Sequence, residues 1–198
     1  MKDISVKALA KINLGLDVVR KREDGYHEVR MVMQTIHLFD RLEISKNTSG
    51  EITMETNLSF LPTNENNLVY KAAKLLQDEF AIKDGVHVWL HKYIPVAAGM
   101  AGGSTDAAAV LYGMNQIFDL GLTREELMER GVKIGADVPY CIMRGTALAE
   151  GIGEKLSKLP PMVKCPVLIA KPQISVSTKF VYENLKLGSD MVHPDICL

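Results

Sequence analysis

The chain has 198 residues, enough for one domain and part of a second. Hydrophobic residues make up 47% of it and the net charge is −1, so a real core is available and no basic surface recommends nucleic acid or an anionic membrane as a partner. No apolar run reaches the length of a membrane span, the start Met1-Lys-Asp-Ile-Ser-Val lacks a signal-peptide core, and Cys141, Cys165 and Cys197 are too scattered for a disulfide framework or a zinc site. A reduced, cytoplasmic setting is the expectation.

Ile4, Val6 and Ala8 alternate with polar residues, which predicts a half-buried strand. Leu14, Leu16 and Val18 continue it beyond Lys11-Ile-Asn13, and Asp24-Gly25 marks a turn. The runs Val29–Leu38, Leu42–Ile44 and Ile52–Met54 read as separate antiparallel strands joined by short polar loops. Leu68, Val69, Ala72, Leu75, Leu76 and Phe80 fall on one stripe, predicting a helix from about Asn66 to Phe80. Val86, Val88 and Leu90 alternate with His87, Trp89 and His91 and predict a strand. His87 and His91 share one strand face, but no further ligand joins them at metal-binding spacing, so a solvated face is the better reading.

That strand leads into Ile94-Pro-Val-Ala-Ala-Gly-Met-Ala-Gly-Gly-Ser-Thr-Asp-Ala-Ala-Ala109. Gly99, Gly102 and Gly103 let the backbone approach a ligand, and Ser104 is read as the N-cap of the helix that follows. A Gly-rich loop opening into a helix presents unpaired N–H groups and the positive end of the helix dipole, which suits a phosphate. The residues match neither a Walker A loop nor G-x-G-x-x-G, and a plain glycine turn stays open on these residues alone. Further on, Thr123-Arg-Glu-Glu126 is a capping box for a helix to about Ile134, closed by Gly135. Asp137 stands among small and apolar residues, where an N-cap or turn role competes with a catalytic one. Val167–Ala170 reads as a short strand, and Ser177 or Thr178 as the cap of a last helix over Lys179–Leu187.

Ala10-Lys-Ile-Asn-Leu14, Asp24-Gly-Tyr-His-Glu28, the stretch Pro95–Ala109, and Gly135–Tyr140 followed by Gly145-Thr-Ala-Leu-Ala-Glu-Gly151 resemble one family. It is the 4-diphosphocytidyl-2-C-methyl-D-erythritol kinase family, within the small-molecule kinases named after galactokinase, homoserine kinase, mevalonate kinase and phosphomevalonate kinase. The resemblance covers the chain from Ile4 to about Asp195. It implies transfer of the ATP γ-phosphoryl group to the 2-hydroxyl of diphosphocytidyl methylerythritol, in the non-mevalonate route to isoprenoid precursors, with Mg²⁺ expected. The fold it implies is α+β: a domain like ribosomal protein S5 domain 2 over 1–160, with a left-handed βαβ crossover, then an incomplete ferredoxin-like domain over 161–198.

The roles implied are specific. Pro95, Val96, Ala97, Ala98, Gly99, Met100, Ala101, Gly102, Gly103, Ser104 and Thr105 would wrap the ATP phosphates. Asp137 would be the general base and Lys11 would keep it ionised while neutralising charge on the moving phosphoryl group. Asn13 shares the strand face of Lys11 and would bond the substrate. Tyr26 would stack on cytosine, His27 would read its edge, and Tyr182 would cover the other face, although Tyr182 also fits a core aromatic. No residue is assigned to the metal. Met100 replaces the family's leucine as an apolar anchor, and Ala101 replaces a glycine, which demands a negative φ or strain. The chain stops short of the family's usual length, so lowered stability and impaired turnover are expected. Alternatives from that reading are a nucleotide-binding remnant, another kinase of the superfamily, or an S5-like RNA module, the last disfavoured by the net charge.

Overall fold

The structure, a computed structural model, describes residues 3–172, 178–188 and 193–194. Its spine is one long strand. β1 (Asp3–Lys21) and β2 (His27–Asn47) form an antiparallel pair, turning through Asp24-Gly25, where Gly25 has φ +85°. The predicted strands over 29–38 and 42–44 are therefore one element. Asp40-Arg41 interrupts the apolar pattern without interrupting the backbone ladder.

β2 carries β1 along one edge and two partners on the other. Its C-terminal half pairs with β4 (Gly85–His91) and its N-terminal half with β5 (Thr146–Glu150), which in turn pairs with β6 (Lys155–Lys158). β3 (Ile52–Thr56) adds to β4 in parallel, and the connection between them is α1 (Leu68–Glu79). The remaining helices are α2 (Gly102–Ile117), α3 (Arg124–Val132), α4 (Val138–Met143) and α5 (Thr178–Asn184). Helices and sheet share one core, in which Val6, Ala8, Met33, Leu42, Ile44, Leu76, Val88, Leu111, Met114 and Tyr140 are buried. The expected α+β class is what the chain adopts.

α1 starts where the periodicity puts it, with Asn67 as N-cap accepting the Val69 N–H at 3.0 Å. The capping box of α3 is complete: Thr123 Oγ1 accepts the Glu126 N–H, and the Glu126 carboxylate accepts the Thr123 N–H at 2.8 Å. α2 is different. It begins at Gly102 with Ala101 as N-cap, so Ser104 lies inside its first turn rather than capping it. Gly113 lets the helix settle on the sheet, since a Cβ there would stand 2.4 Å from Ile44 Cδ1.

Residues 159–172 hold no regular structure, and the predicted strand Val167–Ala170 does not form. Leu168 is 97% exposed, and among the described residues no strand pairs with this segment; apolar composition alone does not make a strand. α5 covers Thr178–Asn184, shorter than Lys179–Leu187, and the candidate cap Ser177 falls outside the described residues. Tyr182 and Leu187 pack against the main core.

Candidate active site

Pairing between β1 and β2 breaks next to Lys11. Leu9 faces Phe39 but Lys11 faces Thr35, so Ile36, His37 and Leu38 stand opposite the single residue Ala10. The break makes room for a second small core of Ala10, Ile36, Ile94 and Met100. Met100 is thus the apolar anchor expected of it, 4% exposed. The Lys11 N–H donates to the Met100 carbonyl at 3.2 Å, and Thr105 Oγ1 donates to the Leu9 carbonyl at 2.8 Å. These two bonds tie the glycine-rich loop to the strand segment that carries Lys11.

The loop is strained. Ala97 has φ 54° and Ala101 φ 55°, left-handed values that cost a residue with a Cβ about 1–2 kcal/mol each. Gly99 takes φ 70° without that cost. The alternative anticipated for Ala101, strain rather than a negative φ, is the one realised. Thr105 N–H makes the first intrahelical bond, to the Ala101 carbonyl at 2.8 Å. The N–H groups of Gly102, Gly103 and Ser104 precede it, and no side chain caps the helix. Pro95, Val96, Ala97, Gly99 and Gly103 are exposed, so the loop's outer face is open to a ligand.

Lys11 and Asp137 meet, with Nζ 3.8 Å from Oδ2. The lysine is 6% exposed; the aspartate side chain is about one-third exposed at 33%. Asp137 occupies the N-cap position of α4, yet its carboxylate makes no capping bond, so the structural role weighed for it in the sequence is not the one its oxygens serve. The placement follows from a short relay. Thr35 is the ladder partner of Lys11, and its hydroxyl lies 3.1 Å from the Tyr140 hydroxyl. Tyr140 donates to the Gly145 carbonyl at 2.7 Å, while Thr35 Oγ1 accepts the Gly145 N–H at 3.0 Å. Tyr140 lies within the first turn of α4, so fixing its ring fixes Asp137. Burial pushes the Tyr140 hydroxyl up to about 12. Burial also raises the neighbouring Cys141 thiol, which stays protonated and unreactive.

Lys11 Nζ donates to Asn13 Oδ1 at 3.3 Å, which puts the two side chains on one face as the two-residue period requires. Asn13 Nδ2 points to Met31 Sδ at 3.7 Å. Tyr182 packs on His27, with ring centroids 5.0 Å apart and planes tilted by 30°. Burial raises the Tyr182 hydroxyl, and the Asp137 charge nearby raises it further, so α5 hangs over the same site. Tyr26 is 61% exposed at the hairpin turn, where its N–H is held by Asp24 Oδ1 at 3.1 Å.

A second group of charges went unrecognised in the sequence. Lys92, just beyond β4, donates to Asp40 of β2 and, at 2.8 Å, to Asp106 of α2. The side chains are 4%, 0% and 3% exposed respectively. Asp40 Oδ1 also accepts the N–H groups of Tyr93 and Ile94, at 2.5 and 2.8 Å. The network therefore fixes the backbone entering the loop and the helix leaving it. The available signal was weak: charged residues at the ends of apolar runs, each of which read alone as a solvated terminus.

Residues 67–145 match the family model described as GHMP kinases N terminal domain. A protein of Lachnoclostridium phytofermentans named 4-diphosphocytidyl-2-C-methyl-D-erythritol kinase is 62% identical over 98% of this chain and 66% of its own length. One of the same name from Lachnospira eligens is 60% identical over 99% of this chain and 68% of its own. The chain belongs to the 4-diphosphocytidyl-2-C-methyl-D-erythritol kinase family. It spans about two thirds of the length of these curated relatives. Within the family, a crystal structure titled 4-(cytidine 5'-diphospho)-2C-methyl-D-erythritol kinase superposes with a TM-score of 0.79 at 34% identity, covering 92% of this chain and 65% of that one. A homoserine kinase from Cytophaga hutchinsonii, 19% identical with a TM-score of 0.65 over 93% of this chain and 60% of its own, shares the fold. No helix among the described residues is long and apolar enough to cross a membrane.

Proposed function

We propose that this family member transfers the γ-phosphoryl group of ATP to the 2-hydroxyl of diphosphocytidyl methylerythritol, a step toward isoprenoid precursors. The observation that carries the reading is Lys11 Nζ lying 3.8 Å from Asp137 Oδ2 on a strand that bonds the glycine-rich loop at Met100. A base, a cation and a phosphate cradle then share one place.

Phosphoryl transfer asks the protein for alignment and charge neutralisation rather than covalent chemistry. The N–H groups of the loop and of the first turn of α2 receive the phosphates. Asp137 accepts the proton of the substrate hydroxyl as its oxygen bonds phosphorus, and the bond from phosphorus to the ADP oxygen breaks. Lys11, 3.8 Å from that carboxylate, places its ammonium where it neutralises charge on the transferring group. Asn13 is bonded to Lys11 and so positioned to orient the hydroxyl. His27 reads the cytosine edge with Tyr26 and Tyr182 on either side; the Tyr182–His27 contact supports their common location. Among the described residues no cluster of three or more acidic, histidine or cysteine side chains gathers to hold a metal. Mg²⁺ is expected to accompany the triphosphate, held chiefly by its phosphates and water, and no step is routed through it. The division at 160 into an S5-like domain and a ferredoxin-like one is part of this proposal, supported by the end of the sheet at Lys158.

ATP turnover with the cytidyl alcohol, run on the native chain and on Asp137→Asn, tests it. Turnover that disappears with asparagine while ATP still binds supports the assignment. Equal turnover in both removes Asp137 as the base. Homoserine or mevalonate accepted in place of the cytidyl alcohol would redirect the substrate assignment.

A further inference from the structure

Two carboxylates and one ammonium lie buried beneath the phosphate loop. Lys92 Nζ is 3.1 Å from where a Cβ on Gly102 would sit, directly under the first residue of α2. It bonds one oxygen of Asp40 and one of Asp106. Asp40 is fully served, since its other oxygen takes the two N–H groups that begin the loop. Asp106 is not: its Oδ1 is buried and has no hydrogen-bond partner among the described residues. With both carboxylates ionised, the trio carries one uncompensated negative charge in a dry place, behind a site meant for an anion. Desolvation opposes that state, and so would a nucleotide.

We propose that Asp106 carries a proton when nucleotide binds, so that Lys92, Asp40 and Asp106 form a neutral positioning unit under the phosphate cradle, and that losing this proton weakens ATP binding. The inference rests on the loop being the ATP site, as argued above. Burial moves the Asp106 carboxyl up to about 8, ahead of the lowering by Lys92 and with Asp40 pushing the same way. The titratable groups facing it are Lys92 beyond β4, Asp40 from β2 and the Cys141 thiol from α4. β1 supplies the Leu9 carbonyl to Thr105, next to Asp106, and its Lys11 acts on the Cys141 thiol. The uncharged Cys141 leaves the balance to Lys92 and Asp40.

Linkage fixes the direction. A carboxyl held at about 8 in the folded chain, against 3.8 in the open one, favours folding fully below about 4 and loses that contribution as pH rises to about 8. Below about 8 the unit is neutral; above it, the ionised Asp106 faces the phosphates. ATP binding therefore favours the protonated unit and takes up a proton near that pH.

Titration calorimetry of ATP with the full chain from pH 6.5 to 9.5, in two buffers of different ionisation enthalpy, tests this. Asp106→Asn supplies the same shape with no proton to lose. The expected result is an ATP dissociation constant that rises roughly tenfold per pH unit above about 8 in the native chain, with proton uptake there, and stays flat in Asp106→Asn. A parallel readout needs no nucleotide: the thermal midpoint of Asp106→Asn should gain on that of the native chain from pH 5 to 8. ATP bound equally tightly by both at every pH, or equal slopes in both, overturns the inference while leaving the ATP site intact. Absence of ATP binding at any pH, with the thermal midpoints still converging, overturns the ATP assignment instead.

Discussion

The proposed phosphate side of the site and the proposed cytosine side are built in opposite ways. Around the loop, every element is tied to another: Met100 to Lys11, Thr105 to Leu9, Lys92 to two carboxylates from separate elements. Around Tyr26, His27 and Tyr182, the contacts among the described residues are looser: a tilted ring pair, the packing of Tyr182 on the margin of the core and a turn, with Tyr26 61% exposed. Triphosphate chemistry tolerates little misplacement, and a strained loop persists only where its surroundings over-determine it. A base can be received by surfaces that close on it, at a cost in ordering that its stacking offsets. Rigidity is concentrated where the proposed reaction puts the reacting atoms.

Substitutions should separate the two halves. Asp137→Asn is expected to lower kcat by ~10²–10⁴-fold with ATP affinity preserved, read in steady-state kinetics and ATP titration. Lys92→Met leaves two buried carboxylates without their cation and should cost about 3–5 kcal/mol of stability in urea unfolding. If it costs under about 1 kcal/mol, the phosphate side is not the rigid half. Met100→Ala opens the small core and should cost about 2 kcal/mol, with KM for ATP rising and KM for the cytidyl alcohol unchanged. On the other side, Tyr182→Ala removes about 1–3 kcal/mol of stacking, seen as a raised KM for the cytidyl alcohol with the thermal midpoint lowered only slightly by the lost packing on the core. A large fall in stability instead would make Tyr182 a core residue. The smallest effect belongs to Thr123→Ala, about 1 kcal/mol by loss of the α3 cap, with no change in either KM.

What could be read from the residues divides along the same line. The glycine loop, Lys11 and Asp137 draw notice because small or charged residues stand in apolar company, but a glycine turn and a helix cap fit those residues as well, and their roles are implied only by the family resemblance. Asp40, Lys92 and Asp106 draw none, because a charge at the end of an apolar run is ordinarily solvated, and only the fold brings these three under cover. The strand boundary that the pattern suggests at Asp40-Arg41 is absent, because alternation records which face a side chain takes, not whether the backbone stays paired. Val167–Ala170 has strand composition but no described partner, and a strand is a relation between two segments. Ser104 has the chemistry of a cap, but the turn geometry starts the helix at Gly102.

The uneven pairing opposite Ala10 sets a rule for how this sequence can vary. Ile36 and Leu38 can change identity at the price of some packing. Their number is another matter: deleting one residue there would rotate the preceding part of the strand by half a pleat and carry Thr35 away from both the lysine and the tyrosine that depend on it. The site is therefore more sensitive to the spacing of these residues than to their type, and a length-changing library across 36–38 would lose function sooner than one that scrambles its side chains.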